Sequence, residues 1–111
     1  MVTKGQPIAR LIPLYALILG NLGIAYDSLG RYEEAIEHYR QALTIAREVG
    51  DRRGEGSRLG KLGNAYKCLG RYDEAIEHYI KALAISREIG DRQTEGSWLV
   101  DLGIAYENGH R

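Results

Sequence analysis

Between residues 31 and 49 the apolar positions are Tyr32, Ala35, Ile36, Tyr39, Ala42, Leu43, Ala46 and Val49. Spacings of three and four place them on one stripe of a helix. Glu33 and Glu34 open this segment and Arg47 lies near its end, which complements the helix dipole. Gly50 follows as a stop and Asp51 as the next N-cap. The next segment is apolar at Leu59, Leu62, Ala65, Tyr66 and Leu69, again at helical spacing, and ends before Gly70. The pattern then starts over. Aligned at a 40-residue offset, 25 of the 40 positions in 16–55 are identical to those in 56–95. The expected elements are five helices, near 13–29, 31–49, 52–69, 71–89 and 92–108. Pro13 is expected in the first turn of the first helix, where its missing N–H costs nothing.

A fixed period of this length is the mark of a repeat architecture. The expected units are 13–50 and 51–90, followed by a partial unit at 91–108, all within a repeat domain spanning 13–111. Residues 1–12 are expected to be an N-terminal segment able to act as a cap. Gly23 and Gly63 fall inside the first helix of each unit. A mid-helix glycine costs about 1 kcal/mol against alanine. Close approach of a neighbouring helix is the expected compensation.

Leu59, Leu62-Gly63, Tyr66, Gly70-Arg71-Tyr72, Ala75, Tyr79 and Ala82 form one signature. Leu19, Leu22-Gly23, Tyr26, Gly30-Arg31-Tyr32, Ala35, Tyr39 and Ala42 repeat it. The chain resembles the tetratricopeptide repeat over roughly residues 14–108. The period of 40 departs from the family's usual length of about 34. The family's terminal proline is replaced by REVGDRR and REIGDRQ. This longer form is similar to the repeats of G-protein-signalling modulators and of bacterial signalling arrays. The resemblance implies an all-α solenoid of helical hairpins and a non-enzymatic scaffold that binds a protein or peptide. It also implies a concave groove lined by the first helices. The positions carried over are Ile24 and Asp27 from the first unit, Ser57, Asn64 and Lys67 from the second, and Val100 and Ile104 from the third. Arg53 joins them one turn back. Asn64 resembles the groove asparagine that holds a ligand's backbone, its amide both donating and accepting.

Composition narrows the alternatives. Lys+Arg and Asp+Glu are equal at 15 each, so the formal net charge is zero. A nucleic-acid partner is not expected without a basic face. Cys68 is the single cysteine, which excludes an internal disulfide and fits a reducing, cytoplasmic setting. The uncharged run 11–26 is 16 residues, short of the roughly 18–20 needed to cross a bilayer. A buried helix is expected there and no membrane partner. No catalytic constellation is present, and neither a metal nor a cofactor is expected. His38 and His78 each follow a glutamate by four residues, but helices pack about 10 Å apart, too far for the two sets to share an ion. GEGSRLG, residues 54–60, reads as the glycine-relaxed start of a packing helix rather than a phosphate loop. The tyrosines at 26, 32, 39, 66, 72, 79 and 106 fall on signature core positions.

The ends of the array carry a second expectation. The first helix is apolar nearly all round, and the last lacks the second helix of its unit. Leu14, Leu17 and Ile18 at one end, and Trp98 and Leu99 at the other, are therefore expected to support self-association. On that alternative the chain is a structural, self-assembling repeat fragment forming a homodimer or larger homo-oligomer.

Overall fold

The computed structural model describes residues 6–110, with side chains from Arg10 onward. Residues 1–5 of the expected N-terminal segment and the side chain of Ile8 lie outside that range. Five helices follow in order: α1 (Gln6–Ser28), α2 (Tyr32–Val49), α3 (Arg52–Cys68), α4 (Tyr72–Ile89) and α5 (Arg92–Gly109). Each packs on its neighbour in sequence, and α3 also touches α5. The result is an all-α solenoid of helical hairpins, extended over 62 × 32 × 18 Å.

The breaks between helices are set by local chemistry. Gly30 and Gly70 both take φ +76°, and the amides of Arg31 and Arg71 reach back to the carbonyls of Tyr26 and Tyr66 at 2.9 Å. This left-handed closure satisfies carbonyls that the helix end would otherwise orphan. Gly50 and Gly90 close α2 and α4 in the same way, at φ +74° and +72°. Asp51 then caps α3 by accepting from the Gly54 amide at 2.9 Å, and Asp91 caps α5 by accepting from Thr94 at 3.2 Å. The helices α2 and α4 start without a side-chain cap. There Arg31 and Arg71 instead pair with Glu34 and Glu74 one turn on, each guanidinium lying 4.9 Å from a tyrosine ring centre.

Helix α1 differs from the sequence expectation. It begins at Gln6, so Pro13 lies inside it rather than in its first turn. Pro13 cannot donate to the carbonyl four residues back, and the helix continues past that missing bond. The stretch Arg10–Ser28 reaches 19 residues at mean hydropathy 1.3, long and apolar enough by those measures to cross a membrane. The 16-residue count from the sequence was too short because the helix takes in flanking residues on both sides. The expected buried helix is for the most part exposed: only Leu19, Gly20 and Gly23 are buried, on the side that meets the rest of the array, because no helix covers its other faces among the described residues.

The core is built by tyrosines set on glycines. Tyr39, Tyr66 and Tyr79 are the largest fully buried side chains, with Leu59 and Leu62 beside them. A Cβ placed on Gly23 would lie 2.6 Å from the Tyr39 ring, and one on Gly63 would lie 2.7 Å from the Tyr79 ring. Each ring therefore rests on bare helix backbone. Tyr26, Tyr32 and Tyr72 pack against the same core. Tyr106 departs from the core expectation at 52% exposure, because the helix that would cover it has no counterpart among the described residues. Gly103, equivalent to Gly23 and Gly63, meets nothing within 4 Å.

This contrast generates a test. Gly63→Ala is expected to destabilise the fold by roughly 1–3 kcal/mol through overpacking. Gly103→Ala is expected to stabilise it by about 0.5–1 kcal/mol through helix propensity alone. Urea unfolding followed by circular dichroism checks both signs.

Candidate functional site

The groove row carried over from the resemblance lies on α1, α3 and α5. Its charged members are already partnered. Arg53 pairs with Asp91 at 2.8 Å, and Lys67 lies 4.0 Å from Asp101 across the α3–α5 contact. Asp27 accepts from the Tyr39 hydroxyl at 3.3 Å. The Asn64 side-chain oxygen accepts from the Tyr79 hydroxyl. Ser57 lines a small cleft with Arg53, Trp98 and Ile85. The rest of the groove is apolar and open: Ile24 is 40% exposed, Ile104 43% and Val100 63%.

Asp27 and Asn64 are not at equivalent positions in their units, yet each accepts from the buried tyrosine of its own hairpin. The tyrosine hydroxyl takes whichever acceptor on the preceding helix is near. Burial raises both phenols well above the ordinary tyrosine range, and the charge of Asp27 adds to the effect at Tyr39.

Two clefts flank the groove, and they are the same cleft in successive units. One, of about 500 Å³, is lined by Pro13, Leu17, Ala46, Asp51 and Arg58 among others. Forty residues on, Arg53, Ser57, Ser86, Asp91 and Trp98 line its counterpart of about 240 Å³. Arg58 lies over Gly20 in the first, and the Trp98 indole lies over Gly60 in the second. The indole also stacks on Tyr79 with ring centres 6.2 Å apart.

Trp98 was open between packing on the neighbouring helix and lying at an exposed end. It is a half-buried bridge between α5 and α3, because Gly60 leaves a seat for it. The signal was legible: both glycines precede the large residue they seat by 38 positions. The other residues named for self-association are open. Leu14 and Leu17 are each 51% exposed, Ile18 47% and Leu99 43%. Sequence reasoning missed Asp91 and Asp101, the acids that neutralise the groove cations. His38 and His78 bond to the carbonyls of Glu34 and Glu74, and they lie against Tyr26 and Tyr66 with ring centres 5.0 Å apart. No group of three metal-ligating side chains gathers among the described residues.

Family models described as tetratricopeptide repeat match residues 16–48 and 57–110. No curated protein matches the chain.

The tyrosine environment sets an alkaline limit. A raised phenol pKa in the folded state contributes stability that is complete below the unfolded value of about 10 and is lost as pH rises through the folded value. Stability measured by urea midpoint is therefore expected to hold through neutral pH and fall above about pH 10. Tyr79→Leu is expected to flatten that decline.

Proposed function

Because the chain belongs to the tetratricopeptide-repeat family, whose members are in general protein-interaction modules, we propose that it is a non-enzymatic module that receives a partner segment in the concave groove. One observation carries the choice of ligand. The groove's cations are neutralised within the chain, while Ile24, Val100 and Ile104 stay exposed. An acidic segment would have to displace Asp91 or Asp101 to gain a charge pair. An uncharged, apolar segment gains buried surface without that cost. The NH2 of Asn64 supplies one donor for the segment's backbone.

Zero net charge favours a protein partner over a nucleic acid. The apolar character of α1 is read as packing surface rather than membrane anchor, on the strength of the repeat register of its second half and the packing of Leu19 and Gly23 against the array. A reducing, cytoplasmic compartment suits the exposed free thiol of Cys68.

Selection from a randomised peptide display library tests this reading. The expected ligands are rich in apolar residues and poor in acids, and they bind with little dependence on salt. Ile24→Glu and Ile104→Glu are each expected to weaken them by about tenfold or more without loss of helicity, since both side chains are half-exposed. Acidic ligands, or ligands indifferent to both substitutions, would overturn the proposal.

A further inference from the structure

The cleft at the joint between units is built twice, forty residues apart, and the two copies differ in how far they are closed. In the second, the Ser86 and Thr94 hydroxyls meet at 2.8 Å and Arg53 pairs with Asp91 at 2.8 Å. The Trp98 indole fills that cleft over Gly60. The first has Ala46 and Gly54 where the hydroxyl pair stands, Pro13 in place of Arg53, and Arg58 in place of Trp98. Each exchange removes a group that closes the cleft, and its volume is about 500 Å³ against about 240 Å³. Its walls come from α1, α2 and α3, and its counterpart recurs at the next joint, so it is a feature of the joint and not of an end of the array.

The chemistry of the first cleft is that of a small-ligand site. Pro13, Ala16, Leu17, Ala46 and Val49 supply apolar walls, and Arg58 supplies one cation. Clefts of about 300–1,000 Å³ with apolar walls and a few polar groups are the usual form of such sites. The Arg58 guanidinium lies flat on the bare backbone of Gly20, its atoms 2.5–2.9 Å from where a Cβ would stand. A fork lying flat keeps N–H donors along its edge, in the geometry that two carboxylate oxygens match. No carboxylate of the described residues pairs with it. Arg58 is half-buried, so a charge pair formed there is screened less than one on the open surface.

Asp51 limits the charge of the ligand. Its carboxylate lines the same cleft while it caps α3. One guanidinium against one carboxylate leaves no surplus for a dianion such as a phosphate monoester. Asp51 and Arg58 are seven positions apart, about 10 Å along α3, so a single carboxylate held at Arg58 stays clear of Asp51. An apolar body on that carboxylate gains buried surface against α1 and α2. Enclosure by three helices favours a free small acid over the end of a peptide.

We propose that the cleft between α1, α2 and α3 binds a small apolar monocarboxylate, its carboxylate held by Arg58 and its body packed on Pro13, Leu17, Ala46 and Val49. The site stands beside the groove row and needs neither Ile24, Val100 nor Ile104, so the proposal is independent of the partner-segment reading.

The test is titration of the full chain with 2-naphthylacetate, followed by NMR at the Arg58 Nε–Hε group and the methyls of Ala46 and Val49. The expected result is saturation below about 1 mM, with shifts at those three residues and affinity at least about tenfold above that of the neutral 2-naphthylacetamide. Arg58→Gln is expected to erase that preference. Arg58→Trp sets an indole over Gly20, as the second cleft has over Gly60, and is expected to abolish binding with circular dichroism unchanged. Ile104→Glu is expected to leave the affinity as it was, which separates this site from the groove. Equal affinity for acid and amide, binding that survives Arg58→Trp, shifts confined to other residues, or no saturation would each overturn the proposal. So would an N-acetylated Leu-Leu-Phe peptide with a free carboxylate binding more than about tenfold tighter than the probe, which would give the cleft to a peptide terminus.

Discussion

A tyrosine ring resting on a bare turn of the preceding helix is the contact on which this array depends. Tyr39 sits on Gly23, and Tyr79 sits on Gly63. The glycine gives up roughly 1 kcal/mol of helix propensity. In return the two helices approach closely enough to bury a whole aromatic side chain, worth more than that loss. The ring also fixes the hairpin's geometry, since it can lie flat only where no Cβ intervenes. The same device joins units as well as the halves of a unit. Trp98 on Gly60 and Arg58 on Gly20 are large side chains on glycine seats between α5 and α3, and between α3 and α1.

The groove inherits its character from these contacts. The buried tyrosines donate their hydroxyls to Asp27 and Asn64. The ion pairs of Arg53 and Lys67 link α3 to the cap and body of α5. Polar groups that a ligand could use are thus spent largely on holding adjacent units in register. On the proposed reading, what remains for recognition is the exposed apolar surface of Ile24, Val100 and Ile104 and one amide. The carboxylates on the opposite face serve register too. Glu55 takes Arg47 and Arg52, while Arg52 also reaches Glu88, so one chain of charges ties α2, α3 and α4.

Much of this was legible in the sequence because the repeat states each contact twice. The helices, the glycine stops at 50 and 90, the aspartate caps and the close approach at Gly23 and Gly63 follow from spacing and residue type alone. The groove positions followed from the resemblance, but their partners did not. Asp91 was read as a cap and Asp101 not at all, since a pair such as Lys67–Asp101 depends on how far one unit rotates from the next. The place of Trp98 was left open because its counterparts, Ile18 and Arg58, share no chemistry with it. The slot is defined by the glycine opposite rather than by the residue that fills it. The start of α1 was missed because Pro13 was read as a first-turn residue, whereas the helix runs through it from Gln6.

The central claim, that buried rings sit on Gly23 and Gly63 and none sits on Gly103, is tested most directly by proton NMR of the glycine Hα atoms. A ring in van der Waals contact shifts those protons strongly upfield. The account predicts such shifts at Gly23 and Gly63 and ordinary helical values at Gly103, with Tyr79→Leu restoring Gly63 alone. Ordinary values at all three glycines would contradict it.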